Sequence, residues 1–499
     1  MPILLMMPVL LPLGLGITAL IRFRNMRRSI VIAGTGVNML ICLLLLMEVQ
    51  SSGILVSQMG GHPAPYGITI VIDRLSAVML AITGIIGFAT ALFSYATIDA
   101  NRERFAYYPL LGFLLMGINF AFLTGDLFTL YVAFEVMLMS SFVLLTLGGE
   151  RGQLEGGIKY VTLNLISSTV FLMAAGLTYA VVGTLNMADL AQRLSAVSAP
   201  GITTVLAGMF LVAFGIKAAI FPLFFWLPAS YHTPPIAVTA LFGGVLTKVG
   251  IYSMWRVLVM IFPHDVMYLQ PLLLILAALT MITGVLGAIA QSEIRRLLSF
   301  HIVSQIGYLL MGMGLMTTLS FAGAVFFMIH VILAKTVLFL IAGLVHEVQG
   351  SYELKKLGGF QSSHPFLAGL FLIAAFSLAG LPPLPGFWAK LILIRAGLEA
   401  QQYAIVAVAL AVSLLTLYSM TKIWHEVFWK KAPASSYQED GLPQSRKRWL
   451  LAPTLLIVGF IALVGLFAEP VYQLSEQAAL GLLNPDVYVE NVLVSEAAP

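Results

Sequence analysis

The sequence is poor in charge and in cysteine. Only 10% of its 499 residues are charged, whereas 60% are hydrophobic, which is far from the balance of a soluble domain. The net charge of +4 forms no basic stripe interleaved with aromatics, so nucleic-acid binding is not expected. The single Cys42 excludes an intramolecular disulfide and a cysteine-built metal or iron–sulfur site. The composition therefore indicates a polytopic membrane protein.

Catalytic signatures are also missing from the sequence. It contains no phosphate-binding glycine loop, no metal-ligand cluster and no nucleophile triad. We therefore expect neither an enzyme nor a bound cofactor or metal.

Long apolar runs dominate what is present, and crossing roughly 30 Å of hydrocarbon takes about 20 residues. The sequence predicts an all-α membrane protein with about 14 transmembrane helices. They lie near 3–22, 29–48, 75–97, 107–124, 127–147, 161–183, 203–227, 236–260, 271–290, 301–316, 319–346, 365–392, 403–428 and 450–469. "NMADLAQRL" at 186–194 is predicted to form a short interfacial helix.

The basic residues are distributed unevenly between the two sets of loops. Loops after odd-numbered helices hold Arg22, Arg24, Arg27, Arg28, Arg102, Arg104, Arg151, Lys159, Arg295, Arg296, Lys355, Lys356, Lys430, Lys431, Arg446, Lys447 and Arg448. Even-numbered loops and their edges hold Arg74, Arg193, Arg256 and Arg395. The positive-inside rule therefore places the odd loops in the cytoplasm and both termini outside. The tail after Pro470 has no further span and is expected on the outer surface.

Ionisable residues near the middle of predicted helices are few. Each costs about 2.5–3.5 kcal/mol to insert and tends to face a partner or a hydrated cavity. They are Glu135 on the fifth helix, Lys217 on the seventh, Lys248 on the eighth, His330 and Lys335 on the eleventh, and Lys390 on the twelfth. The alternative for each is snorkelling to an interface or a structural ion pair.

Two of these helices are interrupted by proline. Pro222 follows Lys217, and Pro382 with Pro383 precedes Lys390. Proline removes one backbone donor and displaces the carbonyl four residues back, and unpaired backbone at membrane depth needs protein or water. We therefore expect a hydrated site at each break, although a kink used only for packing is an alternative. The carbonyls expected to be freed are those of Ala218, Leu378 and Ala379.

The two breaks occupy corresponding places. Helices four to eight carry "FPLFFWLPA" in their fourth member, and helices nine to thirteen carry "PPLPGFWAK" in theirs. Because five is an odd number, the second copy is inverted in the membrane, as in inverted-repeat transporters. This predicts two inverted five-helix repeats, 107–260 and 271–429, between an N-terminal part, 1–106, and a last helix with its tail, 430–499. "LTKVG" and "MTKIW" in the fifth members support the alignment weakly, and Lys422 in the second is near enough to its helix end to snorkel.

Several motifs in order now carry a family resemblance. "FGIKAAIFPL", "WLPASYHTPPIAVTALFGGVLTKVGIYSMWR", "SFHIVSQIGY", "HVILAKTVLFLIAGLVHE" and "LAGLPPLPGFWAKLIL" resemble the antiporter-like subunits shared by respiratory complex I and the Mrp multisubunit cation/proton antiporters. The resemblance covers nearly all fourteen helices. Length, the opening "LLMMPVLLPLGLGITALI" and "YGITIVIDRLSAVML" are most similar to the D-type Mrp subunits.

The resemblance implies roles for particular residues. It implies that Glu135, Lys217, Lys248, His330, Lys335 and Lys390 form a proton path across the subunit. Lysine rather than glutamate at 390 favours the Mrp branch over the M-type complex I subunit, although the N-type complex I subunit resembles this choice as well. His232 matches a family histidine in the loop after the broken helix, and the alternative is a loop histidine bonded to nearby backbone.

The resemblance also implies partners and a location. The partners are the A, B, C, E, F and G type subunits, with protons and Na+ as the transported ions, in the inner (plasma) membrane of a prokaryote. Two alternatives stay open. In the first, the chain would be a proton-pumping subunit of a complex I type NADH:quinone oxidoreductase or membrane hydrogenase. In the second, it would be a scaffold with vestigial channel residues.

Overall fold

The computed structural model describes residues 2–21, 26–194, 200–432 and 443–493, so Arg22 and Arg24 of the basic cluster lie outside the described residues. Twelve described helices are long and apolar enough to cross a membrane. Helix is the expected form because hydrocarbon offers no partner for backbone N–H and C=O groups, which a helix pairs internally.

The first half of the chain contains ten described helices. They are α1 Pro2–Ile21, α2 Arg27–Ser52, α3 Arg74–Thr97, α4 Ala100–Arg104, α5 Tyr107–Leu123, α6 Leu127–Thr146, α7 Arg151–Val182, α8 Met187–Leu194, α9 Pro200–Ala218 and α10 Trp226–Ser230. The helix predicted at 186–194 is thus present as α8.

The next span, Ile236–Ile261, alternates between α and π geometry, and we call it the Lys248 helix. It comprises α11 Ile236–Leu241, the π-helical turn Phe242–Leu246, α12 Thr247–Met254 and a second π-helical stretch, Trp255–Ile261.

The remaining described helices complete the second half. They are α13 Pro263–Ile289, α14 Ile294–Leu315, α15 Thr318–Gln349, a 3₁₀ turn Leu354–Lys356, α16 Phe360–Ser363, α17 Pro365–Ala379, α18 Pro385–Glu399, α19 Tyr403–Ile423 with the π-helical end Trp424–Trp429, α20 Gln444–Leu466, α21 Ala468–Leu483 and α22 Asp486–Leu493.

Three predicted spans differ in form from the others. The span near 107–124 is the shorter apolar helix α5, and the one near 365–392 is divided into α17 and α18. The span predicted from 203 to 227 also ends early, because α9 stops at Ala218 and Ala219 takes a left-handed conformation with φ 61°. Both broken helices of the prediction are therefore broken in the structure.

A β-hairpin interrupts the first long loop, which the all-helical prediction left without structure. Strands β1 Leu55–Met59 and β2 Ile68–Ile72 pair antiparallel, with Leu55 opposite Ile72. The β-branched run "ITIVI" explains the second strand, because such side chains fit a half-buried pleated surface. The hairpin leads directly into α3.

Two helices form the centre of the bundle. In α15 and in the Lys248 helix, the apolar stretch that is long enough to cross a membrane is wholly buried inside the protein. Glycine permits their close approach, since a Cβ at Gly244 would clash with the hydroxyl oxygen of Thr336 on α15. Polar side chains on these two helices must therefore find partners within the protein or in bound water.

Candidate functional site

Lys217 occupies the last turn of α9, just before the first break. Its Nζ donates to the hydroxyl of Ser168 at 3.0 Å and to the carbonyl of Asn164 at 3.3 Å, both on α7. The ammonium also lies 5.3 Å from the centroid of the Phe134 ring. Phe134, Asn164 and Lys217 line a cavity of about 20 Å³ together with Trp226 and Tyr160, which is room for about one water molecule. The buried lysine therefore has polar and aromatic partners and adjoining space.

Glu135 is not paired with Lys217 in this structure. No ion pair joins the two residues among the described part of the chain, and the Oε1 atom of Glu135 is buried without a hydrogen-bond partner there. The carboxylate nevertheless acts electrostatically on Lys217. The two side chains are therefore not in direct contact in this structure.

The first break is closed by side chains from elsewhere in the fold. The Trp226 indole N–H donates to the carbonyl of Ile216 at 3.0 Å, and the backbone N–H of Phe221 donates to the Thr280 hydroxyl at 3.0 Å. The helix ends at Ala218, four residues before Pro222, where Ala219 takes a left-handed conformation.

Lys248 is bonded to a carbonyl that π geometry makes available. Its side chain is 1% exposed, and Nζ donates to the carbonyl of Gly243 at 2.7 Å. Gly243 lies in the π-helical turn Phe242–Leu246, where the regular i to i+4 pairing is shifted. Nothing in the residue pattern indicated this turn beyond its paired glycines.

His330 and Lys335 lie on one unbroken helix, so they face different directions, as a five-residue offset of about 140° requires. The Nδ1 of His330 is 3.2 Å from the Ser377 hydroxyl at the end of α17. Its Nε2 has no partner within the described residues, and neither has the Nζ of Lys335, which is 0% exposed. A buried ammonium without a partner is costly, so this position favours either a bound water or the uncharged amine.

Lys390 holds the second break together. Its Nζ donates to the carbonyls of Leu378 and Ala379 and to the hydroxyl of Ser413, each at 3.0 Å. These are the two carbonyls that the prolines were predicted to free, and Lys390 is the residue that binds them. Lys390 follows its break, whereas Lys217 precedes the first one.

His232 lies in the turn before the Lys248 helix. Its Nδ1 is 2.8 Å from the carbonyl oxygen of Pro228, which is the arrangement that the structural alternative predicted. Burial lowers the pKa of His232, so its ring is neutral near pH 7. The other predicted site residues lie at three places: the first break, the two central helices and the second break.

Two polar contacts lie outside the set of predicted site residues. Lys422 donates to the carbonyls of Ile289 and Gln291 at 2.9 and 2.8 Å, so it caps the end of α13. His301 on α14 is hydrogen-bonded to Ser419 on α19. His301 stands inside the quoted "SFHIVSQIGY" run, which was the available signal. Among the described residues, no group of three His, Cys, Asp or Glu side chains could hold a metal ion.

Comparisons with known proteins agree with this architecture. The family model described as NADH:quinone oxidoreductase/Mrp antiporter, TM matches residues 124–416. The D-type subunit of the Na(+)/H(+) antiporter of Alkalihalophilus pseudofirmus is 44% identical over 492 residues, which are 98% of this chain and 99% of that protein.

Solved structures show the same similarity. A chain of the Mrp complex from Dietzia sp. DQ12-45-1b has a TM-score of 0.90 at 31% identity, covering 99% of this chain and 100% of that one. A chain of respiratory complex I from Thermus thermophilus has a TM-score of 0.81 at 25% identity, covering 96% and 100%.

The hydrogen bond that closes the first break can be tested by a matched pair of variants. Trp226→Phe should lower the free energy of unfolding by about 0.5–1.5 kcal/mol, because it removes the indole hydrogen bond to the carbonyl of Ile216, which then keeps only the Ala219 N–H as a donor. Trp388→Phe removes an indole whose N–H has no partner within the described residues, and should cost less. Thermal unfolding in detergent measures both, and equal losses would contradict the assigned bond.

Proposed function

This chain belongs to the NADH:quinone oxidoreductase/Mrp antiporter family of membrane proteins, and we propose that it is the proton-translocating D-type subunit of a multisubunit Na+/H+ antiporter. Its partners are then the other membrane subunits of an Mrp complex. It is a component of a secondary transporter, and its own residues carry protons without chemistry on a substrate.

The observation that carries the proposal is a set of four buried lysines with mostly neutral partners. Lys217, Lys248 and Lys390 donate to carbonyls and hydroxyls. Lys335, on α15, has no partner among the described residues. Because no fixed carboxylate neutralises each ammonium, a proton can leave without breaking an ion pair. Such groups are suited to transfer more than to holding helices together.

Electrostatic repulsion couples the lysines. Two positive charges about 6 Å apart, in a medium with an effective dielectric constant near 20, repel by roughly 3 kcal/mol. A proton that arrives at Lys248 therefore favours release from a neighbouring site. His330, beside the second break, suits an intermediate station between the centre and Lys390 because imidazole exchanges protons readily. His232 is a candidate entrance to the path.

We further infer that 107–260 and 271–429 are inverted repeats, flanked by 1–106 and 430–499. In each repeat the fourth helix is broken, between α9 and α10 in the first and between α17 and α18 in the second. Each also ends in a π-helical stretch, Trp255–Ile261 and Trp424–Trp429. The third members, α7 and α15, are each 32 residues long. These shared irregularities support a common origin for the two halves.

The alternative function is a pumping subunit of complex I, where redox energy delivered by other subunits would drive the same path. The likeness to the complex I chain favours it in part, but the TM-score and identity are both higher for the Mrp chain. Exchange that runs in vesicles without NADH or quinone distinguishes the antiporter.

We propose that the protein lies in the plasma membrane of a prokaryote with both termini outside. Cys42 is buried and is the sole cysteine, so single-cysteine variants can report topology in a Cys42→Ser background. In right-side-out vesicles, an impermeant maleimide should label Gln473→Cys in the tail and not Glu155→Cys at the start of α7. Both positions are exposed. The reverse labelling pattern would contradict the proposed orientation.

The role of Lys217 gives a direct test of the function. In everted vesicles from cells with the complete complex, Lys217→Ala should abolish cation/proton exchange while the complex stays assembled, since its buried charge serves transfer more than stability. Lys217→Met, which keeps the side-chain length, should behave alike. Lys159→Ala removes an exposed lysine paired with Glu155 and should leave exchange unchanged. Normal exchange by Lys217→Ala would contradict the proposal, and loss of the whole complex would favour a structural role.

Glu135 provides a second test. Glu135→Gln removes the negative charge that acts on Lys217, so proton binding there should need a higher proton concentration and the optimum of exchange should move to lower pH. Glu135→Asp retains the charge with a shorter reach and should keep partial activity. The pH profile of exchange in vesicles measures both variants. An unchanged profile and rate in both would show that Glu135 is not coupled to the path.

A further inference from the structure

A polar cavity lies between the C-terminal helices and the start of α3, and we call it the tail cavity. Its volume is about 390 Å³, within the range of roughly 300–1,000 Å³ that is typical of small-molecule sites. Its lining includes Ser52 at the end of α2, Arg74 at the start of α3, Gln477 of α21 and Asn491 of α22. Among the described residues that line it, none is a proposed proton carrier, so the proton path does not account for it.

Arg74 brings a positive charge without a counterion to the tail cavity. Its guanidinium forms no ion pair within the described residues, and its Nε atom is buried there without a hydrogen-bond partner. Among the described lining residues the only carboxylate is that of Asp73, which is paired with Arg256. The amides of Gln477 and Asn484 line the same cavity and can donate N–H groups. Arginine together with neutral N–H donors is a combination that binds phosphate groups.

An apolar groove adjoins the tail cavity, and Ile54 lines both. This groove, which we call the α1–α2 groove, has a volume of about 520 Å³ and is lined by side chains of α1 and α2, among them Leu4, Leu44 and Met47. These three side chains are exposed, and only 28% of the membrane-spanning stretch of α2 is buried inside the protein. The groove is therefore open to the lipid that surrounds the chain.

The lining of the α1–α2 groove changes from apolar to polar toward the end of α2. Leu44 and Leu45 are followed in the lining by Glu48 and then by Ser51, near the last turn of the helix. The seven residues from Leu44 to Ser51 correspond to about 10 Å along the helix. Glu48 accepts a hydrogen bond at 2.8 Å from Ser52, which itself lines the tail cavity. A phospholipid changes from acyl chain to headgroup in the same direction.

Other occupants would use only part of this arrangement. A free phosphate ion would neutralise Arg74 and leave the apolar groove uncovered, whereas an apolar helix of a partner subunit would cover the groove and leave Arg74 without a counterion. A phospholipid satisfies both, and basic pockets at the ends of membrane spans are suited to lipid headgroups. The carboxylate of Glu48 adds a negative charge to the lining of the groove. A headgroup that carries both a phosphate and an ammonium therefore complements the site best.

We propose that the tail cavity and the α1–α2 groove together bind one zwitterionic phospholipid of the phosphatidylethanolamine type, in the leaflet on the side of the C-terminal tail. Its phosphate would accept from Arg74 and from the amides of Gln477 and Asn484. Its ammonium would donate to Glu48, and an acyl chain would lie in the groove beside Leu44. The lipid would thereby join the first two spans to the tail helices. This site goes beyond the proposed function, because it uses none of the proton carriers.

A photoactivatable phosphatidylethanolamine, with the reactive group on an acyl chain, tests the site in the complete complex in detergent. The probe should label peptides of α1 and α2 saturably. Arg74→Gln should raise the lipid concentration for half-maximal labelling by about tenfold, equivalent to about 1.4 kcal/mol, because it removes a charged donor to the phosphate. Arg395→Gln is the control, since Arg395 is exposed and already paired with Glu399, and it should leave that concentration unchanged.

Two further variants test the groove and the headgroup. Leu44→Trp places a bulky ring in the groove and should lower the labelling. Leu40→Trp, one turn away, alters an exposed leucine that is not part of the lining and should not lower it. Unlabelled phosphatidylethanolamine should displace the probe from the unchanged chain at lower concentration than phosphatidylglycerol does. Glu48→Gln should abolish this preference, because it removes the partner of the ammonium.

All variants are compared at equal amounts of assembled complex. Labelling that does not saturate, or that is equal in the unchanged chain and Arg74→Gln, would overturn the site. Absence of label from α1 and α2 of the unchanged chain would also overturn it and would favour a partner subunit in the groove. Displacement of the probe by inorganic phosphate as readily as by lipid would indicate a free-anion site instead. Equal displacement by the two lipids would overturn the assigned headgroup.

Discussion

A membrane interior offers no water to a buried ammonium or to an unpaired backbone carbonyl. The fold depends on hydrogen bonds in which buried lysines donate to such carbonyls. Lys390 donates to the two carbonyls that the second break releases, and Lys248 donates to a carbonyl in a π-helical turn. These two irregular stretches of backbone are thus each stabilised by a lysine, and both lysines have backbone partners. Neither would be tolerated alone at that depth.

The same constraint shapes the centre of the bundle. The stretches of α15 and of the Lys248 helix that are long enough to cross a membrane are wholly buried. Lys335, which has no partner among the described residues, therefore favours either a bound water or the uncharged amine. Carbonyls and hydroxyls hold an ammonium without fixing its charge as a carboxylate would. A path built from such partners can change its protonation state while the helices stay packed.

Much of this could be predicted from the chain alone. Hydropathy is a local property of about 20 consecutive residues, so the spans were placed near their structural positions, and proline marked both breaks because it removes a backbone donor. The hairpin at Leu55–Ile72 was missed because its strands are short and lie in a loop. The π-helical turns were missed because no residue type specifies them. The roles of the buried ionisable residues remain predictions.

The sequence by itself determined which residues enter the membrane, where the helices break and which few side chains bring charge to mid-membrane depth. Only the tertiary structure decided their partners: it set Ser168 and Asn164 beside Lys217, kept Glu135 out of an ion pair, and joined Asp73 to Arg256 across 183 positions. The physical reason is that span and break follow from neighbours along the chain. A partner across the bundle depends instead on the rotation and depth at which each helix packs, and those are set by contacts between distant segments.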